Sequence, residues 1–151
     1  MSPDETSRRE FVALTCACCA AALGADALAD EAPQPTTIDL GPLSDFKTEG
    51  PYDKFARSKK LLVLSTGKRI AVATARCTHK TCVLKVNEGQ LNCPCHKSKF
   101  DNDGIPLNGP AKVSLNRYGV SIVDDHLIVD LSKQFEERRW DEVEAFVSIE
   151  S

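Results

Sequence analysis

The chain has 151 residues, of which 27% are charged and 42% are hydrophobic, a composition that predicts one globular domain. Nineteen basic and 22 acidic residues give a net charge of −3, so the overall charge gives no support for nucleic-acid binding. No apolar stretch reaches the roughly 20 residues that a membrane-spanning helix needs. Only three histidines and seven cysteines are present, which excludes any site built from many imidazoles.

The first 29 residues have the pattern of an export signal. Arg8 and Arg9 stand just before an apolar run at 11–25 that is rich in alanine and cysteine. The run suits the hydrophobic region of a signal better than a membrane span, and 27–29 offers a cleavage site of small residues. Residues 1–29 therefore resemble a twin-arginine (Tat) signal helix. Two alternatives are a first helix of the fold and a signal that is retained as a membrane anchor.

After a proline-containing linker, which we assign to residues 30–40, the chain predicts short strands. Apolar runs of three to five residues alternate with turns that contain glycine, asparagine and aspartate. This pattern predicts an all-β fold, an antiparallel barrel or sandwich. The predicted strand pairs are 61–65 with 69–73 around Thr66-Gly67-Lys68, 83–86 with 90–92 around Asn87-Glu88-Gly89, and 120–123 with 126–129 around Asp124-Asp125.

The end of the chain has a different pattern. Its apolar residues are spaced so that they could line one helical face, and acidic residues outnumber basic ones. We interpret residues 132–151 as a helix or an extended strap that packs on a domain at 41–131, with partner docking as the second interpretation. The apolar residues are Phe135, Trp140, Val143, Phe146 and Val147.

Two short segments combine cysteine with histidine. The first is 77–82, Cys-Thr-His-Lys-Thr-Cys, and the second is 93–98, Cys-Pro-Cys-His-Lys-Ser. Thiolates and imidazoles are metal ligands, and two assignments are open. All six residues could crowd a zinc site, although tetrahedral zinc uses four donors and leaves two thiols unexplained. Alternatively, one cysteine and one histidine from each segment bind a binuclear iron–sulfur centre. The remaining two cysteines then bond to each other, and every residue is accounted for.

The two segments resemble the Rieske iron–sulfur motif, C-T-H-x-x-C and C-P-C-H-x-S, in its disulfide-containing form. Ser98, Phe100 and Asp101 match the S-x-Y/F-D stretch of that family, and 109–111 stands where the family has a proline-containing loop over the cluster. The resemblance covers about residues 61–131. It implies one [2Fe-2S] cluster, held on a small cluster-binding subdomain of an antiparallel β-barrel or sandwich.

The resemblance also implies a role for each residue of the motif. One iron is bound by two cysteines and the outer iron by two histidines, while a serine donates a hydrogen bond to a cluster sulfur. In that order the implied residues are Cys77 and Cys93, His79 and His96, and Ser98; the implied disulfide joins Cys82 to Cys95.

Three positions depart from the family pattern. Thr81 and Lys97 replace glycines, which permit positive φ and close backbone approach, so we expect them to alter the loop shape. Phe100 lacks the hydroxyl that a tyrosine would offer to a cysteine sulfur. With Ser98 kept and that hydroxyl absent, we expect a reduction potential between the high values of the quinol-oxidising complexes and the low, ferredoxin-like values.

Five cations stand near the predicted cluster, and two interpretations of them are open. They form either an ordinary solvated surface or a basic docking ring around the electron exit, facing an acidic partner. The five residues are Arg76, Lys80, Lys85, Lys97 and Lys99.

These observations predict one-electron transfer in the periplasm or on the outer face of the cytoplasmic membrane. We expect the chain to be the iron–sulfur subunit of a quinol-oxidising respiratory complex, with a cytochrome, another subunit or quinol as redox partner. A free-standing Rieske ferredoxin or the small subunit of another exported oxidase is the alternative, and a zinc-stabilised binding module is a more distant one. An oxygenase catalytic subunit is excluded, because only His126 remains for a second iron site that needs two histidines.

Overall fold

The computed structural model describes residues 36–149; the predicted signal at 1–29 lies outside the described residues. Strands and two 3-10 helices make up the regular structure, so the all-β prediction is confirmed. Over residues 36–149 we find no helix with the length and apolarity to cross a membrane. The strands are β1 (Thr37–Pro42), β2 (Gly50–Tyr52), β3 (Leu61–Ser65), β4 (Arg69–Thr74), β5 (Lys85–Asn87), β6 (Gln90–Asn92), β7 (Lys99–Phe100), β8 (Pro106–Asn108), β9 (Arg117–Val123), β10 (His126–Phe135) and β11 (Val147–Ser148); the 3-10 helices are Leu43–Phe46 and Glu137–Arg139.

The strands form two antiparallel sheets. The large sheet has the order β1-β10-β9-β4-β3-β2, with β11 added beside β4. The small sheet has the order β5-β6-β7-β8 and is built from the stretch that contains both cysteine–histidine segments. The fold therefore separates a large supporting sheet from a small sheet whose loops carry the predicted site.

The three predicted hairpins are present. The Glu88-Gly89 and Asp124-Asp125 turns each place two consecutive residues at positive φ, between 49° and 74°. Two such residues form the turn whose twist matches a hairpin, and asparagine, aspartate and glycine tolerate it best. These turns set the pairings Asn87↔Gln90 and Val123↔His126.

Strand β3 is buried along its whole length, and it separates two apolar cores. Its sequence, Leu-Leu-Val-Leu-Ser, has no polar alternation, as expected for a strand covered on both faces. Leu61 and Val63 pack into one core with Phe46. Leu62 and Leu64 pack into the other core, which continues beneath the small sheet and includes Cys77 and Cys93 among its apolar residues.

Both ends of the described chain join the large sheet. Residues 37–40, which we assigned to the linker, belong to β1 and pair with β10. Strand β10 continues past residue 131 as far as Phe135. The last segment, residues 136–149, is a strap of one short 3-10 helix and successive turns that ends in β11, and it forms no continuous α-helix. Val147 pairs with Ile70 in β4, and the Glu144 carbonyl accepts a hydrogen bond from the Val120 N–H of β9. Tertiary backbone pairing overrides the helical spacing of its apolar residues.

His126 begins β10 and has a structural partner. Its Nδ1 lies 2.8 Å from Asp39 Oδ2 on β1, and both side chains are exposed. This hydrogen bond is the largest cause of the lowered pKa of Asp39. The remaining histidine thus joins two strands at the surface, far along the chain from the cysteine–histidine segments.

The strap holds a buried guanidinium in place. Arg117 of β9 is 8% exposed, and its guanidinium carbon lies 3.9 Å from the ring centroid of Trp140. Asp103 Oδ1 accepts a hydrogen bond of 3.2 Å from the same guanidinium. Burial lowers the pKa of Arg117, while the Asp103 carboxylate opposes that effect. The strap therefore covers a charge that would otherwise lie open to solvent beside the core.

We expect Trp140→Ala to destabilise the protein by about 2 kcal/mol, less than the ~3–5 kcal/mol of a fully buried tryptophan, because Trp140 is only partly buried. The midpoint of urea denaturation, followed by far-UV circular dichroism, measures the effect. Val143→Ala is the matched control, since Val143 lies on the same strap and is 87% exposed. Equal midpoints for the two variants would contradict a supporting role of the strap.

Candidate metal centre

The first ligand loop, residues 77–82, follows the end of β4. An isolated bridge between Arg76 and Val83 brings its two ends together. Within the loop, the Cys77 N–H donates to the Cys82 carbonyl at 2.8 Å. These contacts direct Cys77 into the core and leave His79 exposed.

The second ligand loop, residues 93–98, joins β6 to β7 and repeats the closure of the first. The Cys93 N–H donates to the Ser98 carbonyl at 2.8 Å, again to a residue five positions later. The Lys97 N–H donates back to the Cys93 carbonyl at 3.0 Å. Cys93 is buried, and His96 lies at the edge of the surface. Both loops therefore present a buried cysteine and a more accessible histidine.

A disulfide joins the two loops. Cys82 and Cys95 are bonded, with their Cα atoms 6.4 Å apart. This confirms the pairing that the family resemblance implied. Closing a loop of this length is worth about 3 kcal/mol in the chain-entropy model. The disulfide stabilises two loops whose exposed residues are not held by packing in an apolar core.

The loops bring two imidazoles and two thiols together. The ring centroids of His79 and His96 lie 4.7 Å apart in an edge-to-face arrangement. Cys77 and Cys93 are free cysteines, 3% and 2% exposed. Ligand atoms of Cys93 and His96 lie within 4.8 Å of each other and of the Cys82 sulfur, which the disulfide already uses. Cys77 and His79 lie outside this compact group.

One buried atom of the site needs a partner. His96 Nδ1 is buried and makes no hydrogen bond within the described residues. A buried polar atom without a partner costs free energy, which a bound metal would remove. Together with two buried thiols and the adjacent His79 ring, this atom shows that the residues present fit a metal cluster with mixed sulfur and nitrogen ligands.

A third loop, residues 109–115, fastens both ligand loops. The Thr78 hydroxyl donates to the Val113 carbonyl at 2.7 Å, and the Ala111 N–H donates to Ser98 Oγ at 3.1 Å. Ser98 is fully buried, and its own hydroxyl hydrogen stays available for donation. The sequence did not predict this role of Thr78. The only signal was its position between Cys77 and His79.

The three departures from the family pattern have different outcomes. Lys97 adopts φ 59°, so it takes the left-handed conformation that a glycine would adopt. Thr81 is not among the described residues with positive φ. Left-handed backbone costs a lysine about 1 kcal/mol, and the effect of Thr81 and Lys97 on the loop shape stays a prediction. Phe100 is fully buried in the core that contains both free cysteines.

We expect Gly109→Ala to loosen the third loop and lower the thermal midpoint by several degrees. Gly109 has φ +94°, and an added Cβ would lie 2.6 Å from Ser98 Cα. Gly41→Ala is the matched control, because Gly41 has φ +102° and no atom within 4 Å of an added Cβ. Thermal unfolding of both variants separates the shared backbone cost from the clash. A smaller loss for Gly109→Ala than for Gly41→Ala would contradict close packing of the loops.

Comparisons with known proteins agree with this geometry. A family model described as the Rieske [2Fe-2S] domain matches residues 36–119. The chain is 31% identical over 98 residues to the cytochrome b6-f complex iron-sulfur subunit of Chlorobaculum tepidum, covering 63% of this chain and 54% of that protein. It is 34% identical over 71 residues to the carotenoid phi-ring synthase of the same organism, covering 46% of this chain and 11% of that protein.

The chain therefore spans about half the length of the first relative and a small part of the second. In a solved complex of reduced oxygenase and oxidized ferredoxin in carbazole 1,9a-dioxygenase, one chain aligns with a TM-score of 0.51 at 20% identity, covering 67% of this chain and 98% of that chain. This likeness concerns the fold alone. The family model covers more than half of the chain, and the chain belongs to the Rieske [2Fe-2S] domain family.

Proposed function

We propose that Cys77 and Cys93 bind one iron of the cluster and that His79 and His96 bind the other. The observation that carries the proposal is the pair of buried free thiols beside two adjoining imidazoles, on loops joined by a disulfide. When bound, the [2Fe-2S] cluster of this family supplies reversible one-electron transfer. The function proposed for the chain is electron transfer between protein partners.

The four proposed ligands differ in burial, and this difference predicts different roles for the thiols and the imidazoles. A thiolate in an apolar core is costly unless positive charge lies beside it, so Cys77 and Cys93 suit an inner cationic centre. His79 is exposed and His96 lies at the surface edge, so the imidazoles form the side that a partner can approach. Two neutral imidazoles in place of two thiolates reduce the negative charge of the ligand set, which favours uptake of an electron.

We further propose that the domain works outside the cytoplasmic membrane as the iron–sulfur subunit of a quinol-oxidising complex. The similarity to a cytochrome b6-f iron-sulfur subunit supports the complex. The Cys82–Cys95 disulfide, with Cys95 exposed, supports an oxidising compartment, and Arg8 with Arg9 supports export by the Tat route. The proposed partners are a cytochrome or another subunit of the complex, together with quinol.

Fractionation of cells that produce the untagged chain tests this assignment. We expect the chain in the membrane fraction, and after mild solubilisation we expect it to migrate with a cytochrome and with quinol-oxidising activity. Washing the membranes with salt and chelator provides the control for loose adsorption. A chain found wholly in the soluble periplasmic fraction would contradict the subunit assignment and favour the free-standing carrier.

We expect Ser98→Ala to lower the midpoint potential by on the order of 60 mV, because the proposed hydrogen bond from Ser98 to the cluster would be lost. A hydrogen bond that is stronger in the reduced state by about 1.4 kcal/mol corresponds to ~59 mV for one electron. Thr78→Val is the matched control, since it also removes a hydroxyl that joins a ligand loop to the third loop. Voltammetry of both holoproteins measures the potentials. Equal shifts in the two variants would attribute the effect to loop loosening and contradict the direct role of Ser98.

A further inference from the structure

The stretch from 76 to 112 carries an excess of exposed positive charge. Within the described residues, none of its basic side chains lies within ion-pair distance of a carboxylate. The basic surface consists of Arg76, Lys80, Lys85, Lys97, Lys99 and Lys112, all exposed.

Few acidic groups in the same stretch can neutralise this charge. The stretch has three acidic residues, Glu88, Asp101 and Asp103. Asp101 accepts hydrogen bonds from two backbone N–H groups of its own turn, and Asp103 is paired with Arg117. With six basic and three acidic residues, the stretch has a net charge of +3, although the whole chain has a net charge of −3. Glu136 and Glu137, outside the stretch, line the same cavity as Lys112.

Three residues of the basic surface are next to proposed cluster ligands in the sequence. Arg76 precedes a proposed cysteine ligand, Lys80 follows His79, and Lys97 follows His96. The two imidazoles lie side by side at this end, with ring centroids 4.7 Å apart. Positive charge is thus concentrated where a redox partner must approach the imidazoles.

Lys97 of the basic surface has a strained backbone conformation. It adopts φ 59°, a value that glycine reaches without strain and that costs a lysine about 1 kcal/mol. Its side chain makes no hydrogen bond among the described residues that would explain the choice of lysine.

An apolar side chain lies among these cations. Val113 is 64% exposed, and its carbonyl accepts the hydrogen bond from Thr78, beside His79. An apolar centre with a charged rim is the usual composition of an interface between proteins.

We propose that the basic surface docks an acidic electron-transfer protein at the imidazole end of the domain. This inference rests on the proposed function and adds the charge class and the contact site of the partner. Attraction between the basic surface and an acidic partner would raise the rate of encounter, and this advantage would fall as salt screens the charges.

The charge of the electron exit is tested with two small oxidants of opposite charge. Each takes one electron from the reduced holoprotein: hexacyanoferrate(III) becomes hexacyanoferrate(II), and tris(phenanthroline)cobalt(III) becomes the cobalt(II) complex. In stopped-flow experiments, we expect the rate constant with the anionic oxidant to fall about tenfold between 10 and 500 mM ionic strength. The rate constant with the cationic oxidant should rise over the same range. The reverse pattern, or no salt dependence, would overturn the proposal.

The double variant Lys80→Gln/Lys97→Gln tests the named residues. At low ionic strength we expect it to react about threefold more slowly with hexacyanoferrate(III) and faster with the cobalt complex. A change of potential would move both rates in the same direction, so opposite changes identify an electrostatic effect. Lys47→Gln/Lys68→Gln is the matched control, because these exposed lysines lie near the β3–β4 turn, at the other end of β4 from Cys77. Equal behaviour of the two double variants would contradict the proposal.

Binding is measured separately with hexacyanochromate(III), a paramagnetic trianion that is not expected to exchange electrons with the protein. We expect it to broaden the amide signals of Lys85 and Lys99 in the holoprotein, and less so in Lys80→Gln/Lys97→Gln. Sedimentation with phosphatidylglycerol vesicles at 150 mM ionic strength, lost in the same variant, would assign the surface to lipid and overturn the proposal. Anion binding without electron transfer to either oxidant would instead contradict the proposed function.

Discussion

The site depends on one constraint: two cysteines must lie in an apolar core while two histidines from the same short loops reach the surface. Cys77 and Cys93 satisfy the first half of this constraint, since both pack among the residues beneath the small sheet. The outer residues of both loops lie beyond this core, so other contacts must hold them in place. That support comes from the disulfide and from the third loop, which bonds to Thr78 and Ser98.

The two ligand loops are closed by the same backbone hydrogen bond. In each, the N–H of the buried cysteine donates to the carbonyl five residues later, which turns the chain back and holds the intervening histidine outward. Strands on either side fix the ends of the loops, and the register Asn92↔Lys99 sets the width of the second. The large sheet supplies the rigid base, with β3 buried on both faces and the strap joined to β4 and β9. Rigid strands with functional loops are the expected division between support and chemistry.

Much of the fold and site was predictable because local chemistry determines it. The turns at Glu88-Gly89 and Asp124-Asp125 need residues that tolerate positive φ, and the sequence provides them. The metal-binding motif is specific because few arrangements use two cysteines and two histidines at such spacing. The strap was harder to predict, since the apolar spacing of Trp140 and Phe146 suits a helix equally well. Only the neighbouring strands, through the pairing of Val147 with Ile70, make its end extended. The left-handed backbone conformation of Lys97 likewise depends on the closed loop around it, since lysine does not favour positive φ.

The central claim is that imidazoles from both loops share one cluster with the two buried thiols. Pulsed electron paramagnetic resonance of the dithionite-reduced holoprotein tests it most directly, because coupling to ¹⁴N distinguishes bound imidazole from thiolate ligation. The account predicts a single spin-½ centre with two strongly coupled nitrogens, each lost separately when His79 or His96 is replaced. A centre with no coupled nitrogen, or a protein that holds zinc and no iron after anaerobic reconstitution, would contradict it.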